Sequence, residues 1–291
     1  MGTESMNSNG LPNYDLTEVT ITDPAGIKRK IPTRIAGAGQ PILFLHGYPL
    51  DGRIWEPVMA RLSDRFRCIA PDLRGFGDSA EEAKSFSMLD LANDVEALVK
   101  SLGVSSKISI CGLSMGGYVA MQFAKTHPES VCRLLLTNTR GNADDAQTRQ
   151  TRLDAASKAV AGQSEQVVAP MLEKLLSEKT RKEEAHLESL VLNMMNRTKP
   201  STIAWAQLAM AHREDSLKAM ENWHFPTLCV AGEHDKITPP EALQQIAAAL
   251  PNASVHVDAN SAHLTPLESP DWFAKRVADL FAMECRSPSC Q

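Results

Sequence analysis

Three residues of this 291-residue chain have the types and the chain order needed for nucleophilic catalysis: Ser114, Asp235 and His263. A serine hydroxyl attacks carbonyl carbon poorly until a neighbouring base takes its proton. An imidazole can do that near neutral pH, and a carboxylate behind the imidazole selects the tautomer that leaves a lone pair facing the serine. Ser114 stands at the centre of Gly112-Leu-Ser-Met-Gly116, a G-x-S-x-G spacing whose glycines leave room for a sharp turn presenting the hydroxyl. Asp235 lies in Gly232-Glu-His-Asp235-Lys-Ile-Thr-Pro-Pro240, and His263 in Asp258-Ala-Asn-Ser-Ala-His263-Leu-Thr-Pro266. An aspartate among Gly and Pro is by itself an ordinary turn former, and a lone histidine an ordinary surface residue. The combination carries the argument.

Rivals stand close to two of the three. Glu233 competes with Asp235 for the acid role, but a neighbour in an extended turn points elsewhere, and Thr238-Pro-Pro suits a turn held just after Asp235. Asp258 reads as the end of a strand. Among alternative bases, His256 falls within a strand, His234 beside the acid, and His46 before a glycine in a loop with a different task. That task is to stabilise negative charge on the attacked oxygen, which needs two backbone N–H groups. Met115, at the start of a helix, supplies one, and Tyr48 in Leu45-His-Gly-Tyr-Pro49 the other, with a plain Gly-Pro turn as the competing interpretation.

These residues must be positioned by strands and helices. Ile108, Ile110 and Cys111 read as a buried strand before Ser114, while Val119, Ala120, Phe123 and Ala124 recur at helical spacing after it. Further short apolar runs occur at Pro41–Leu45, Cys68–Pro71, Lys107–Cys111, Val131–Thr137, Pro226–Ala231 and Ser254–Val257. Helical stretches separate them, such as Met88–Leu102 with Leu91, Val95, Leu98 and Val99 on one face and Gly103 as its stop. The alternation predicts an α/β fold: a mostly parallel sheet covered by helices on both faces, with catalytic groups in loops beyond the carboxyl ends of the strands. Leu16–Thr22 and Ile27–Ile35, joined through Asp23-Pro-Ala-Gly26, read as a hairpin at a sheet edge. Residues 142–222 show no strand signal and predict a helical cap inserted after the sixth strand, so that 16–141 and 223–283 form the core. Residues 1–15 read as a disordered leader and 284–291 as a flexible tail.

Composition sets limits. A net charge of −5 offers no basic field for nucleic acid, and no apolar run approaches a membrane span. The N-terminus lacks the apolar centre of a secretory signal. Cys68, Cys111, Cys132 and Cys229 lie in or beside strand segments, Cys285 and Cys290 in the polar tail, and none has metal-site spacing. Together these point to a reduced, cytoplasmic protein. Arg74-Gly-Phe-Gly77 departs from nucleotide-binding spacings and reads as a tight turn.

With His46-Gly-Tyr-Pro49, Asp72-Leu-Arg-Gly-Phe-Gly-Asp-Ser79, Gly112-Leu-Ser-Met-Gly-Gly117, Gly232-Glu-His-Asp235 and Ala262-His263 in hand, the chain resembles the alpha/beta-hydrolase superfamily from about Asp15 to Met283. Within it, the Leu-Ser-Met-Gly-Gly elbow resembles bacterial-type carboxylesterases, enol-lactonases and cofactor-free haloperoxidase-like perhydrolases. The resemblance implies that Ser114 is the nucleophile, His263 the base, Asp235 its orienter, and Tyr48 and Met115 the oxyanion donors, with neither metal nor organic cofactor. Ser114 argues against relatives with an aspartate nucleophile. Two positions depart from the pattern: Ala262 where many relatives have Gly, and Asn138, where many have Asp, which removes a rival acid. The expected activity is cleavage of a small or medium carboxylic ester through an acyl-enzyme. Lactone, thioester, C–C bond and perhydrolytic variants would use the same triad, and a non-catalytic ligand-binding member would not need it. For the substrate, Met171, Met194, Met195, Trp205, Leu208 and Met210 are expected to line an apolar acyl pocket or to glue the cap to the core. Arg140 is expected to meet a substrate carboxylate or to form a surface salt bridge.

Overall fold

The computed structural model describes residues 14–79, 85–105 and 107–282. Eight strands run in the order β1 (Asp15–Thr22), β2 (Lys28–Ala36), β3 (Gln40–Leu45), β4 (Phe66–Pro71), β5 (Ile108–Leu113), β6 (Val131–Thr137), β7 (Thr227–Gly232) and β8 (Ala253–Asp258). They form one sheet with spatial order β1-β2-β4-β3-β5-β6-β7-β8. The β1–β2 and β2–β4 pairings are antiparallel, and every pairing from β4 through β3, β5, β6 and β7 to β8 is parallel. The hairpin is therefore at an edge, as its turn signal predicts. Asp15 already belongs to β1, one residue inside the expected leader; the rest of that segment before Tyr14, and the tail with Cys285 and Cys290, lie outside the described residues.

Hydrophobic runs became strands where both faces are covered. All six residues of β5 and all six of β7 are buried. β8 differs: as the outermost strand it is only partly covered, and Val257 is 40% exposed. An edge strand loses cover on one side, which the run Ser254–Val257 does not reveal.

Helices α1 (Glu56–Leu62), α2 (Met88–Ser101) and α3 (Met115–Thr126) follow β3, β4 and β5. α2 opens with a reciprocal capping box between Ser87 and Asp90 and buries Leu91, Val95, Leu98 and Val99, the face expected from its spacing. Between β6 and β7 every regular element is helical, from α4 (Ala146–Val160) through α5 (Ser164–Val168), α6 (Leu172–Leu175), α7 (Glu178–Glu183), α8 (Ala185–Arg197) and α9 (Pro200–Ala211) to α10 (Leu217–Met220). This is the helical insertion after the sixth strand. It is tied to the loops above the sheet: Arg53 Nη1 donates to Asn193 Oδ1 at 2.8 Å, Thr198 Oγ1 to the Pro49 carbonyl at 3.1 Å and Thr202 Oγ1 to the Gly75 carbonyl at 3.1 Å. α11 (Pro240–Ala249), α12 (Thr265–Glu268) and α13 (Pro270–Ala282) complete the chain. No helix among the described residues is long and apolar enough to cross a membrane.

Candidate active site

Ser114 joins β5 to α3 at φ 53°, ψ −115°, a backbone region that L-residues with side chains rarely occupy. Holding a serine there costs about 1–3 kcal/mol, so the surroundings must over-determine it. They do. The Ser114 amide donates to the Thr137 carbonyl at 3.0 Å, and its carbonyl accepts from Gly117 N at 2.9 Å and Thr139 Oγ1 at 2.8 Å. The glycines are explained by proximity: a Cβ on Gly112 would stand 2.5 Å from the Gly116 carbonyl oxygen, and one on Gly116 would stand 2.1 Å from that of Leu45. α3 thus starts in contact with both its own strand and the end of β3.

His263 follows β8 and is 2% exposed; Asp235 follows β7 and is 4% exposed. His263 Nδ1 is 2.8 Å from Asp235 Oδ2. The carboxylate also accepts from Thr238 Oγ1 at 2.7 Å and Asn138 Nδ2 at 3.0 Å on Oδ2, and from the Ile237 and Thr238 amides at 2.8 and 2.9 Å on Oδ1. Burial on its own pushes this carboxyl up, but the His263 charge and these donors together hold it down at about 2. An ionised carboxylate accepts only, so Nδ1 carries the ring proton and Nε2 keeps its lone pair, as a base requires. Thr238 Oγ1 lies 3.3 Å from the same Nδ1.

The rivals fall away. Glu233 and His234 are exposed, His256 sits in β8, and Asp258 ends that strand with Oδ2 accepting from Ser269 Oγ at 2.6 Å. His46 is fully buried: Nδ1 donates to the Gly47 carbonyl at 3.0 Å while Nε2 accepts from Leu73 N at 2.9 Å. Burial lowers its basicity and both nitrogens are used, so it braces the loop. Asp72, first in the Asp72–Ser79 motif, is likewise structural. Its Oδ1 accepts from Arg34 Nη1 at 2.7 Å and Gly52 N at 2.8 Å, and its Oδ2 from Asp78 N at 2.8 Å, which pins the turn containing Gly75 and Gly77.

The oxyanion loop lies against the nucleophile. A Cβ on Gly47 would be 3.1 Å from Ser114 Cβ, so a larger residue would crowd the serine. In the turns, loops and caps of the described residues no backbone acceptor engages the Tyr48 or Met115 amide. The Tyr48–Pro49 peptide is cis. The Tyr48 ring packs edge-on to Phe76. Burial raises its phenol, and Gln207 is a polar neighbour that falls outside hydrogen-bond geometry.

Asp235 and His263 are in direct contact, and the Ser114 turn joins them through the end of β6. Thr137 O and Thr139 Oγ1 hold Ser114, while Asn138 between them holds Asp235 Oδ2 and, from the same Nδ2 at 3.0 Å, the Ala262 carbonyl. No hydrogen bond joins the Ser114 hydroxyl to His263 or to its own helix. Apo nucleophile–base contacts are commonly loose and tighten with substrate. Ala262, buried next to the base, is accommodated: its amide donates to Glu268 Oε1 at 2.8 Å, and Glu268 Oε2 accepts from Ser177 N at 2.7 Å in the helical insertion. The sequence marked Asn138 only as a missing rival acid and Thr238 only as part of a turn; their bonds to Asp235, and Glu268 altogether, are what it did not reveal.

The substrate expectation needs correction. A cavity of about 600 Å³ that reaches Arg140 and Ile237 is lined by Arg152, Lys158, Lys174 and Lys236 together with Met171, Val167, Pro170 and Gln207, so it combines apolar surface, to which Met171 contributes as expected, with a cationic wall that was not expected. Met194, Trp205 and Met210 do not line it. Met194 is buried within the helical layer, Trp205 is half-buried against the core, and Met210 lies behind the cavity wall with Sδ 3.3 Å from Arg152 Nη1. Met195 is also fully buried. Arg140 donates Nη2 to the Ile237 carbonyl and forms no ion pair among the described residues, so the surface salt bridge is not what holds it, while its place in the cavity wall keeps it available to a substrate carboxylate.

Comparisons with known proteins bear on the fold and the family. A family model described as the alpha/beta hydrolase fold matches residues 40–270. An esterase from Thermogutta terrifontis is 32% identical with a TM-score of 0.88, over 91% of this chain and 98% of that one. An enol-lactonase from Burkholderia xenovorans LB400 is 23% identical with a TM-score of 0.82, over 91% and 100%. A bromoperoxidase from Bacillus anthracis is 18% identical with a TM-score of 0.79, over 92% and 100%. The last two show a shared fold alone. The elbow at Ser114, the strand order and the family match lead to one conclusion: the chain belongs to the alpha/beta hydrolase family.

Proposed function

We propose that the chain is a serine hydrolase of small or medium carboxylic esters. The observation that carries this reading is the 2.8 Å contact of His263 Nδ1 with Asp235 Oδ2, which supports a ring whose Nε2 keeps its lone pair for a base's task, in a chain that also holds Ser114 in a strained elbow. His263 takes the Ser114 proton as Oγ bonds to the substrate carbonyl carbon, and the carbonyl π-pair moves onto oxygen, facing the Tyr48 and Met115 amides. The tetrahedral species collapses by breaking the ester C–O bond, with His263 returning the proton to the departing alcohol. Water, deprotonated by the same imidazole, then cleaves the acyl-enzyme to release the acid and restore Ser114. Asp235 stays ionised and stabilises the imidazolium.

The test is labelling with a fluorophosphonate probe alongside turnover of 4-nitrophenyl esters, lactones and thioesters. The wild-type protein should label and turn over simple esters, and Ser114→Ala should do neither. An unlabelled wild-type protein without esterase activity overturns the reading in favour of a ligand-binding role. The buried thiols Cys68, Cys111 and Cys229 form no disulfide and fit a reducing, cytoplasmic setting, which a free-thiol count of the native protein checks.

A further inference from the structure

The cationic cavity is out of keeping with the chain that contains it. The protein carries a net charge of −5, yet this cavity gathers Arg140, Arg152, Lys158, Lys174 and Lys236 against one acidic residue, Asp154. Local compensation is incomplete. Arg152 Nε pairs with Asp144 Oδ2 at 2.6 Å, but Asp144 also serves Arg213 at 2.7 Å, so two guanidiniums share one carboxylate. Asp154 already accepts from Gln150 Nε2 at 2.8 Å. Arg140 gives one bond to the Ile237 carbonyl and keeps a buried Nε without a hydrogen-bond partner. Asp145, whose carboxylate feels the Arg140 charge, is exposed and accepts from the Thr148 amide at 2.7 Å. Lys158, Lys174 and Lys236 are exposed at the rim.

The cavity adjoins the reacting centre through two short chain segments. Arg140 follows Thr139, whose hydroxyl holds the Ser114 carbonyl at 2.8 Å, and Ile237, another lining residue, donates its amide to Asp235 Oδ1 at 2.8 Å. Ser114, Asp235 and His263 are not themselves in the cavity wall, and these two segments are what link the wall to the backbone that holds them. Glu178 feels the Lys236 charge but also serves Lys182, and a neutral alkyl chain gains nothing from the partnerless Arg140 Nε–H or the exposed ammonium groups. A carboxylate there gains charge-assisted hydrogen bonds and a focused field.

Building on the ester-hydrolase reading, we propose that this cavity receives the far end of the acyl chain and that the preferred substrates are esters whose acyl group ends in a carboxylate. Arg140 is the inner contact, and Lys174 and Lys236 draw the anion in from the rim.

The experiment compares kcat/KM for 4-nitrophenyl hydrogen adipate with that for 4-nitrophenyl hexanoate, and measures binding of adipate dianion to the Ser114→Ala protein by calorimetry. The acidic ester should be preferred at least tenfold, mainly through a lower KM, and the preference should shrink as salt is raised. The ratio should fall at least fivefold in Lys174→Gln/Lys236→Gln, whose exposed positions spare the fold, and also in Arg140→Gln. Adipate should bind the Ser114→Ala protein and lose affinity when Lys174→Gln/Lys236→Gln is added. A wild-type ratio at or below one, a ratio unchanged by these substitutions, or no adipate binding overturns the proposal. Loss of hydrolysis and labelling with adipate binding intact would instead overturn the ester-hydrolase reading and leave the anion site standing.

Discussion

Asn138 donates its side-chain Nδ2 both to Asp235 Oδ2 and to the carbonyl of Ala262, the residue before the catalytic base, at 3.0 Å each. One amide thereby spaces the acid and the histidine loop, and it does so from a backbone φ of 47°, which Asn tolerates better than most residues. Thr137 Oγ1 donates to Asn138 Oδ1 at 2.7 Å and fixes which end of the amide faces Asp235.

Asn138→Gly retains the backbone conformation and removes both bonds. We expect kcat to fall about tenfold with KM nearly unchanged, as for loss of one buried hydrogen bond to a charged group. Asn138→Asp should lose more, because it sets a second carboxylate against Asp235. Steady-state kinetics of the two variants, with circular dichroism to confirm the fold, check this; a change confined to KM would contradict it.

Asp235→Asn should lower kcat on the order of 10⁴-fold, since a neutral amide no longer holds the Nδ1–H tautomer. Glu233→Gln, on an exposed side chain beside it, should cost less than twofold. If the two variants ranked in the opposite order, the acid role would pass to Glu233.

Ser114→Ala should abolish turnover and leave the strained turn in place. Ser114→Gly should also be inactive, yet more stable than Ser114→Ala by about 1 kcal/mol, because glycine occupies φ 53° at little cost. Urea unfolding of both variants measures the difference, and equal midpoints would mean that the elbow stores no strain.

Acid should act on stability through Asp235. Its carboxyl is held at about 2, below the ordinary value of 3.8: burial opposes this, and the His263 charge and hydrogen bonds outweigh burial. A depressed carboxylate contributes its stability in full above its unfolded pKa and loses it as pH falls through the folded one. Between pH 4 and pH 2 the protein should therefore lose roughly 2 kcal/mol from this group, and the difference from Asp235→Asn should shrink over that interval. A constant difference across the interval would refute it.

Activity should follow pH with the opposite partner in control. Attack by Ser114 needs neutral His263, so kcat/KM on a neutral ester should rise as imidazole loses its proton and should report one essential group. Rates that decline from pH 6 to 8 would remove His263 from the role of base.

Local chemistry made much of this protein legible from its residues alone. A β5 of six buried residues, a glycine-spaced serine and the apolar face of α3 lie within one short stretch, where periodicity and turn propensity act without help from distant segments. Chain order added the acid and the base, because loops at the carboxyl ends of neighbouring parallel strands must meet above the sheet. Relations across long separations were decided only by folding. Asn138 reaches Asp235 across 97 residues and Ala262 across 124, and nothing near Asn138 in sequence distinguishes its amide from that of any turn. The substrate cavity is the same case in larger form. Met194 lies on the apolar face of α8 and Met210 in α9, which is apolar nearly all round, so the pattern assigns them to buried surface but not to a particular one, and packing turned them into the helical layer. The cavity wall came instead from Arg140 after β6, Arg152 and Lys158 on α4, and Lys236 after β7. Charges scattered along a sequence average to a mildly acidic chain. Which of them converge on one cavity depends on how α4 and the β6 and β7 loops pack, and no local pattern in the sequence encodes that packing.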